Sequence, residues 1–331
     1  MFEQRSIEVE VRATRALARD VVEFELARVD GAPLEPAAPG SHVDLRVEPP
    51  GGLAQLRQYS ITNALARGRL DSYRIAVARS AQGRGGSAWL HDTIRKGSRL
   101  RLGQPRQLFA QHEAAGAALF IAGGIGVTPL LPMARAAAAA GADWRLVYLV
   151  RSEERAAYLD ELLELDARRV LLHVSGPRDR RLDLASILRQ LGQDTHVYCC
   201  GPQGLMQAVR ELTAGRAPGS VHFESFGAGE AAGEAAGAAA GADHGFELRL
   251  ARSGLRAAVP PGSSVLEVIE QLGIAHPSSC REGICASCEV RVLDGRCEHR
   301  DQILEPHERQ QDERFFPCVS RCAGDSLTLD L

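Results

Sequence analysis

The sequence predicts a multidomain protein of mixed α/β and β class, in which an antiparallel β-barrel precedes a doubly wound parallel α/β domain and a small third domain. Three observations predict this. The spacing of apolar residues changes near residue 113, a segment without core-forming residues occupies 227–245, and a tight cysteine cluster follows that segment. A chain of 331 residues is long enough for two or three separate cores.

The composition excludes several classes of protein. With 45% hydrophobic and 24% charged residues, the chain is typical of a globular protein and unlike a disordered, collagen-like or membrane-spanning one. The 39 basic and 42 acidic residues leave a formal net charge of −3, so nothing favours nucleic acid or a membrane surface as partner. Residues 1–20 lack the apolar stretch of a signal peptide, and we expect a cytoplasmic protein, in the simplest case a monomer.

Residues 1–112 alternate between apolar and polar side chains. The clearest runs are Ser6–Val11, Val21–Leu26, His42–Val47 and Tyr73–Ala78, and turn residues separate them. Alternation with a period of two indicates strands that bury one face, and several short strands of this kind predict a small antiparallel barrel.

Residues 113–226 alternate short apolar runs with helical segments. The runs are LFIAGG, WRLVYLV, VLLHVSG and THVYCCG, and the helices are expected up to Ala140, over Tyr158–Leu165 and over Leu184–Leu191. This rhythm predicts a parallel sheet. The most apolar window, 117–133, contains glycines and prolines, which favours a strand and a glycine turn over a membrane helix.

The segment 227–245 contains glycine, alanine and a few acidic residues, with no β-branched side chain. Such a composition cannot form a core and predicts a flexible linker, with an alanine-rich helix as the alternative. Residues 246–331 begin with a hairpin (FELRLARSG, LRAAVPPG) and a helix (VLEVIEQLG) and form the third domain.

The cysteines of the third domain follow the spacing C-x4-C-x2-C at Cys280, Cys285 and Cys288, and Cys318 follows in FFPCVSRC. Four thiolates can hold a 2Fe-2S cluster, with three on one loop and the fourth from elsewhere. Zinc is the alternative, although zinc sites usually pair two C-x2-C motifs. Cys322 competes with Cys318 for the fourth position.

A glycine turn, GGIGVTP, follows the strand ALFIA and opens a helix, with Gly124, Gly126 and Pro129 in a GxGxxP pattern. Such a turn lets a pyrophosphate approach the helix N-terminus. YCCGP ends a later strand, where Cys200 and Gly201 could meet a nicotinamide. A buried cysteine without a redox role is the alternative for Cys200.

Two motifs in the barrel segment could bind a flat, phosphorylated heterocycle. RQYS offers Arg57, Tyr59 and Ser60, and GRGGS ends in a Gly-Gly-Ser turn suited to a phosphate. An ordinary strand tyrosine and an ordinary surface turn are the alternatives.

In their order along the chain, RQYS, GRGGS, GGIGVTP, CGP and the cysteine cluster resemble the phthalate dioxygenase reductase and vanillate demethylase reductase family. The resemblance covers the whole chain and implies an FMN-binding barrel (1–112), an NAD domain (113–226) and a β-grasp, plant-type 2Fe-2S ferredoxin domain (246–331). It also implies Cys318 as the fourth cluster ligand. Cys199, Cys297 and Cys322 are left without a role.

The resemblance also implies roles for individual residues. Those assigned to FMN are Arg57, Gly85, Gly86 and Ser87 at the phosphate, Tyr59 along the isoalloxazine, Ser60 near N5, and Glu224 and Phe226 where the reductase part ends. Those assigned to NADH are Gly124, Gly126, Val127, Thr128, Pro129, Arg151, Ser152, Gly201, Pro202 and Cys200, the last over the path of the hydride. Ser60, Cys200 and Glu224 are the candidate catalytic residues.

One position departs from the family pattern. Ser152 follows Arg151 where an acidic residue would bind the ribose 2′-hydroxyl of NADH. Ser152 and Arg155 could tolerate a 2′-phosphate, which leaves NADPH open.

The implied function is electron transfer from NADH through FMN and the 2Fe-2S cluster to a terminal oxygenase carrying a Rieske cluster. Nicotinamide delivers two electrons as a hydride and the cluster accepts one at a time, so a flavin is needed between them. The alternatives are a stand-alone flavin or quinone reductase and a redox-sensing electron carrier.

Overall fold

A computed structural model describes residues 6–50, 55–65, 67–80, 85–112, 116–176, 181–226, 244–274, 276–278, 281, 283, 286–301, 303–304 and 306–331. Within these ranges the chain forms two compact units, one up to residue 226 and one after the 227–243 segment. Most of the predicted linker, 227–243, lies outside the described residues.

The first unit begins with an antiparallel sheet that contains the predicted barrel strands. Its elements are β1 (Ile7–Ala18), β2 (Val21–Arg28), β3 (Ser41–Val47), β4 (Gln55–Ser60), β5 (Tyr73–Ala78), α1 (Gly86–Thr93), β6 (Arg99–Leu102) and β7 (Arg106–Gln107). The strand order is β4-β3-β6-β1-β2-β5, with β7 beside β3. An antiparallel bridge between Ile61 and Ile75 brings the two ends of the sheet together, as a barrel requires.

The same unit continues with a parallel sheet. Its elements are β8 (Ala117–Gly123), α2 (Val127–Ala139), β9 (Asp143–Val150), α3 (Leu159–Asp166), β10 (Val170–Val174), α4 (Leu184–Arg189), β11 (Thr195–Cys200), α5 (Gln203–Thr213) and β12 (Val221–Glu224). The strand order is β10-β9-β8-β11-β12. The order reverses between β8 and β11, and ligands of such sheets bind at the carboxyl ends of the strands at this point.

Side chains from both sheets join the two parts of this unit. The Tyr158 hydroxyl, buried ahead of α3, donates to the Glu23 carboxylate of β2 at 2.7 Å. The Arg135 guanidinium of α2 donates to the carbonyl of Thr62 at 2.8 Å. A buried polar group that lacks a hydrogen-bond partner destabilises the fold. These hydrogen bonds therefore hold the barrel and the parallel sheet in a defined arrangement.

The second unit is a mixed sheet with one packed helix. Its elements are β13 (Phe246–Leu250), β14 (Leu255–Val259), α6 (Val265–Gln271), β15 (Val290–Asp294), β16 (Cys297–Glu298), α7 (Pro306–Arg309), β17 (Arg314–Phe315), β18 (Arg321–Cys322) and β19 (Ser326–Leu329). The main sheet has the order β14-β13-β19-β15-β17, with β13 and β19 parallel. This is the β-grasp arrangement, and the predicted fold class is confirmed.

Sequence periodicity identified only part of these elements. It predicted no element for α1, α5, α7, β6, β7, β12 or β15–β19, and it ended β1 too early, at Val11. Short strands carry too few alternating positions to be recognised. In the described segments, no helix has both the length and the apolar character that crossing a bilayer requires.

Candidate redox site

The glycine turn after β8 and the CGP turn after β11 pack directly against each other. A Cβ on Gly126 would lie 2.1 Å from the carbonyl oxygen of Cys200, and a Cβ on Gly201 would lie 2.9 Å from the Cα of Gly123. Gly124 has φ +54°, a left-handed conformation that glycine adopts without strain. Gly126 is therefore required by a main-chain contact at the switch point of the sheet, and Gly124 is favoured by its backbone conformation.

A cleft of about 750 Å³ opens at these carboxyl ends, between the parallel sheet and the barrel. Of the residues assigned to the dinucleotide, Gly124, Arg151 and Pro202 line it. Arg155, named for a 2′-phosphate, also lines it. Ser152, next to Arg151, is not part of this lining.

Three other assigned residues, which directly follow the glycine turn, are buried and do not line the cleft. Val127, Thr128 and Pro129 are buried in the first turn of α2, and the Thr128 hydroxyl donates to the carbonyl of Ile125 at 2.9 Å. Their buried side chains support the turn from the protein interior. The main chain of Gly123 and Gly124 forms part of the surface of the cleft.

Sequence reasoning missed one side of this cleft. His173 and Ser175 at the end of β10, Arg181 and Asp183 ahead of α4, and Asp20 of the barrel all line it. The sequence could have indicated His173 and Ser175, because they end a parallel strand at the edge of the sheet where ligands bind. Asp20 had no such signal, since it comes from another sheet.

Cys200 and Glu224 are neighbours in register on the parallel strands β11 and β12. The Cys200 side chain is fully buried, and burial, with the Glu224 carboxyl nearby, raises the pKa of the thiol well above its usual value. Burial also raises the pKa of Glu224 to about 8. Its Oε2 atom has no hydrogen-bond partner among the described residues, so this environment favours the neutral form of the Glu224 carboxyl.

The RQYS motif forms β4, which pairs with β3 on one side. Arg57 and Tyr59 share a face of the strand, and Tyr59 packs half-buried against the barrel core, where burial raises the pKa of its phenol. The Ser60 side chain is 4% exposed, and within the described ranges its hydroxyl oxygen has no partner. An unpaired buried hydroxyl is costly and indicates a missing partner.

The Gly-Gly-Ser turn lies against Arg57. A Cβ on Gly86 would lie 3.3 Å from Arg57 Nε, and Gly85 has φ +83°. Gly85 precedes α1, whose first N–H groups no side chain caps. The Ser87 hydroxyl already accepts the N–H of Ser80 at 3.1 Å. The structure thus brings together an arginine and an uncapped helix start, a combination that suits a phosphate. Phe226 ends the unit and is 43% exposed.

Two of the four cluster cysteines are described. The Sγ atoms of Cys288 and Cys318 lie 3.2 Å apart in a small buried group that excludes Cys322. Cys280 and Cys285 lie outside the described residues. Arg281, Gly283 and Ala286, which lie between Cys280 and Cys288 in the sequence, have positive φ, a conformation that occurs in main-chain nests that bind anions.

The leftover cysteines have other surroundings. Cys322 is in the main core of the second unit, and its sulfur accepts the Gly324 N–H at 3.3 Å and donates to the Ser326 carbonyl at 3.2 Å. Cys297 pairs in register with Cys322. Cys199 is buried on the face of β11 opposite Cys200, where burial raises its pKa to about 12.

Comparison with known families matches two of the three domains predicted from the sequence. Residues 120–211 match the family described as oxidoreductase NAD-binding domain, and residues 248–323 match the 2Fe-2S iron-sulfur cluster binding domain. The chain therefore contains an NAD-binding and a 2Fe-2S module.

Comparison with whole proteins extends over the full chain. The toluene-4-sulfonate monooxygenase system reductase subunit TsaB1 of Comamonas testosteroni is 41% identical over 98% of this chain and 99% of its own length. The vanillate O-demethylase oxidoreductase of Pseudomonas sp. is 39% identical over 98% and 100%. The phthalate dioxygenase reductase of Burkholderia cepacia is 37% identical over 98% and 97%.

Solved structures lead to the same family. Phthalate dioxygenase reductase, described as a modular structure for electron transfer from pyridine nucleotides to [2Fe-2S], matches with a TM-score of 0.72 and 36% identity over 99% of both chains. An intact type IV self-sufficient cytochrome P450 monooxygenase matches with a TM-score of 0.84 and 34% identity over 98% of this chain, which spans 41% of that longer protein. Because it contains an NAD-binding and a 2Fe-2S module and is similar to these reductases over their full length, the chain belongs to the family of reductase components of oxygenase systems, oxidoreductases that pass electrons from NAD(P)H through a 2Fe-2S cluster to an oxygenase.

Proposed function

We propose that FMN joins NADH to the 2Fe-2S cluster in this chain, and that the cluster reduces a terminal oxygenase with a Rieske centre. We propose further that the protein works as a cytoplasmic monomer with domain boundaries near residues 112, 226 and 245. The observation that carries the flavin assignment is the buried, unpartnered hydroxyl of Ser60, beside the strand positions of Arg57 and Tyr59.

The Ser60 hydroxyl supports a flavin because a buried hydroxyl without a hydrogen-bond partner costs free energy, and a hydrogen bond to a ligand would offset that cost. It can donate to, or accept from, a polar edge atom of a flat heterocycle that lies along Tyr59. When bound, FMN would accept a hydride from the nicotinamide and release single electrons to the cluster.

The surroundings of Arg57 support a single terminal phosphate. Its guanidinium donates to Gln55 Oε1 and lies against Gly86, so it is held near the start of α1. Main-chain N–H groups and a guanidinium together suit the phosphate of FMN.

Cys200 and Glu224 would act on the nicotinamide side. The contact of Gly126 with Cys200 leaves no room for a side chain and sets the path of the main chain there. Burial raises the pKa of Glu224 to about 8, which favours the protonated form, and a protonated carboxyl can donate a hydrogen bond without repelling an electron-rich flavin or nicotinamide. The Cys200 side chain is fully buried, and burial raises the pKa of its thiol, so it adds no charge beside Glu224.

NADH is favoured over NADPH by the pairing of Arg155. Its guanidinium lies 3.3 Å from the Asp20 carboxylate across the cleft. That carboxylate neutralises the cation that would otherwise attract a 2′-phosphate, and it would repel the phosphate itself.

The flavin is identified by mass spectrometry after denaturing the purified protein, with iron and sulfide analysis on the same sample. FMN with two irons and two sulfides per chain is expected, whereas FAD would contradict the phosphate assignment. For the partner, purified Rieske and haem oxygenases are each mixed with the reductase and NADH. Reduction of the Rieske centre, followed by electron paramagnetic resonance, is expected, and exclusive reduction of a haem would overturn the Rieske assignment.

A further inference from the structure

A group of potential metal ligands lies in the second unit, apart from the cluster cysteines. Among the described residues, Cys297, His299 and Asp312 place a thiol sulfur, an imidazole nitrogen and a carboxylate oxygen within 4.8 Å of one another. Cys297 and His299 come from β16 and the residue after it, and Asp312 from the turn ahead of β17. The group therefore joins two parts of the chain that are separate in sequence.

The separation between the nitrogen and oxygen ligand atoms is close to that of a tetrahedral metal site, and the Cys297 sulfur lies within 4.8 Å of both. His299 Nε2 lies 3.2 Å from Asp312 Oδ1, and the Cys297 N–H donates to the same oxygen at 3.0 Å. Zinc bonds of about 2.0–2.3 Å to nitrogen, oxygen and sulfur place neighbouring ligand atoms roughly 3.3–3.6 Å apart. Small side-chain rotations would thus bring all three atoms to one ion.

A second carboxylate stands behind the histidine. Asp301 is fully buried, with its Oδ1 3.6 Å from His299 Nδ1, and it is held by the N–H groups of Ile303 and Leu304. Nδ1 has no hydrogen-bond partner within the described part of the chain. A carboxylate behind the far nitrogen is the arrangement that orients a zinc-bound histidine and fixes its proton on that nitrogen.

The site is more exposed to solvent at Asp312 than at His299. The His299 side chain is 5% exposed and the Asp312 side chain 28% exposed. An ion can therefore enter past Asp312, and water can complete a fourth position there.

We propose that Cys297, His299 and Asp312 form a binding site for a borderline divalent transition-metal ion, with Zn²⁺ as the best match. On binding, the thiol proton of Cys297 leaves to solvent, the thiolate and His299 Nε2 bond to the ion, and the imidazole proton resides on Nδ1 facing Asp301. No electron is transferred. The ion links β16 to the turn before β17, the segment that leads to Cys318.

The test uses the full-length protein with its cluster intact. Wild type, Cys297→Ser and Asp312→Asn are equilibrated with Zn²⁺ under anaerobic conditions, dialysed and analysed for zinc and iron. Wild type should retain one zinc more per chain than either variant, at equal iron content. Cys322→Ser, which changes the neighbouring thiol outside the group, is the matched control and should retain zinc as wild type does.

X-ray absorption at the zinc edge gives a readout that iron does not obscure. One sulfur at about 2.3 Å with nitrogen and oxygen at about 2.0–2.2 Å is expected. Equal zinc in wild type and both variants, or loss of zinc in the Cys322→Ser control alone, overturns the proposal. So does a zinc shell of four sulfurs with loss of iron, because the zinc would then occupy the cluster site.

Discussion

At the scale of single residues, Cys318 and Cys322 differ in what surrounds each thiol. Cys318 lies beside Cys288, whereas the Cys322 sulfur bonds with main-chain groups of its own turn. Cys318→Ser should therefore abolish or badly destabilise the cluster, and Cys322→Ser should leave it. Visible and electron paramagnetic resonance spectra of both variants measure this, and the reverse pattern would assign the fourth ligand to Cys322.

Glu224 should make stability depend on pH. Its pKa is raised by burial from 4.5 to about 8 in the folded protein, so its ionisation opposes folding. The loss of folding free energy caused by this ionisation is absent below about pH 4.5 and complete above about pH 8. Wild type should therefore lose thermal stability relative to Glu224→Gln across that window, measured as the melting temperature of both proteins from pH 5 to 9.

The exposed Glu164 on α3 provides the control for this prediction. Glu164→Gln should follow the pH profile of wild type. Parallel profiles for wild type and Glu224→Gln would show that the Glu224 carboxyl ionises in the folded protein at its ordinary pKa.

Asp20 should determine the preference of the protein for NADH over NADPH. Asp20→Asn leaves the Arg155 guanidinium free to meet a 2′-phosphate and removes a repelling charge, while asparagine tolerates the φ of +63° at this position. Both groups are nearly half-exposed, so we expect a gain for NADPH over NADH of about tenfold at most. The ratio of kcat/KM values measures it. The double variant Asp20→Asn with Arg155→Gln should lose the gain, and an unchanged ratio in Asp20→Asn would place the ribose elsewhere.

At the scale of elements, the turns after β8 and β11 depend on the absence of a side chain at Gly126. An alanine Cβ would lie 2.1 Å and 2.5 Å from the Cys200 carbonyl oxygen and carbon, and these main-chain atoms cannot move without distorting β11. Gly126→Ala should destabilise the first unit by roughly 3 kcal/mol or more and weaken NADH binding. Denaturant unfolding and NADH titration measure the two effects.

Gly215→Ala is the matched control. Gly215 is exposed, with no atom within 4 Å of its added Cβ, so the change should stay within about 0.5 kcal/mol of wild type. Equal stability of the two alanine variants would show that the β8 and β11 turns separate readily.

At the scale of the whole molecule, the two units have their own hydrophobic cores. A fragment ending at Phe226 should therefore fold, bind its flavin and support reduction of ferricyanide by NADH. Delivery of electrons to an oxygenase should be lost, because the cluster is the exit. Steady-state assays with both acceptors measure this.

Full-length Cys318→Ser separates loss of the cluster from loss of the tethered domain. It should reduce ferricyanide at the rate of wild type and fail with the oxygenase, as the fragment does. Turnover of the oxygenase at near the wild-type rate by either protein would mean that electrons leave from the flavin.

Features encoded by neighbouring residues could be predicted from the sequence by itself. The parallel sheet, the glycine turn after β8 and the Cys288 loop follow from periodicity, from glycine and from cysteine spacing, because each depends on local backbone conformation. The family followed from the order of such motifs along the chain.

Only the tertiary structure decided which side chains meet. It placed Asp20 against Arg155, and it buried Val127–Pro129 outside the lining of the cleft. Each of these results depends on how strands distant in sequence pair and which face they bury, and a periodic pattern carries no information about its partner. Burial then sets the chemistry, as at Glu224, whose carboxyl is ordinary in the sequence and becomes a neutral acid only inside the fold.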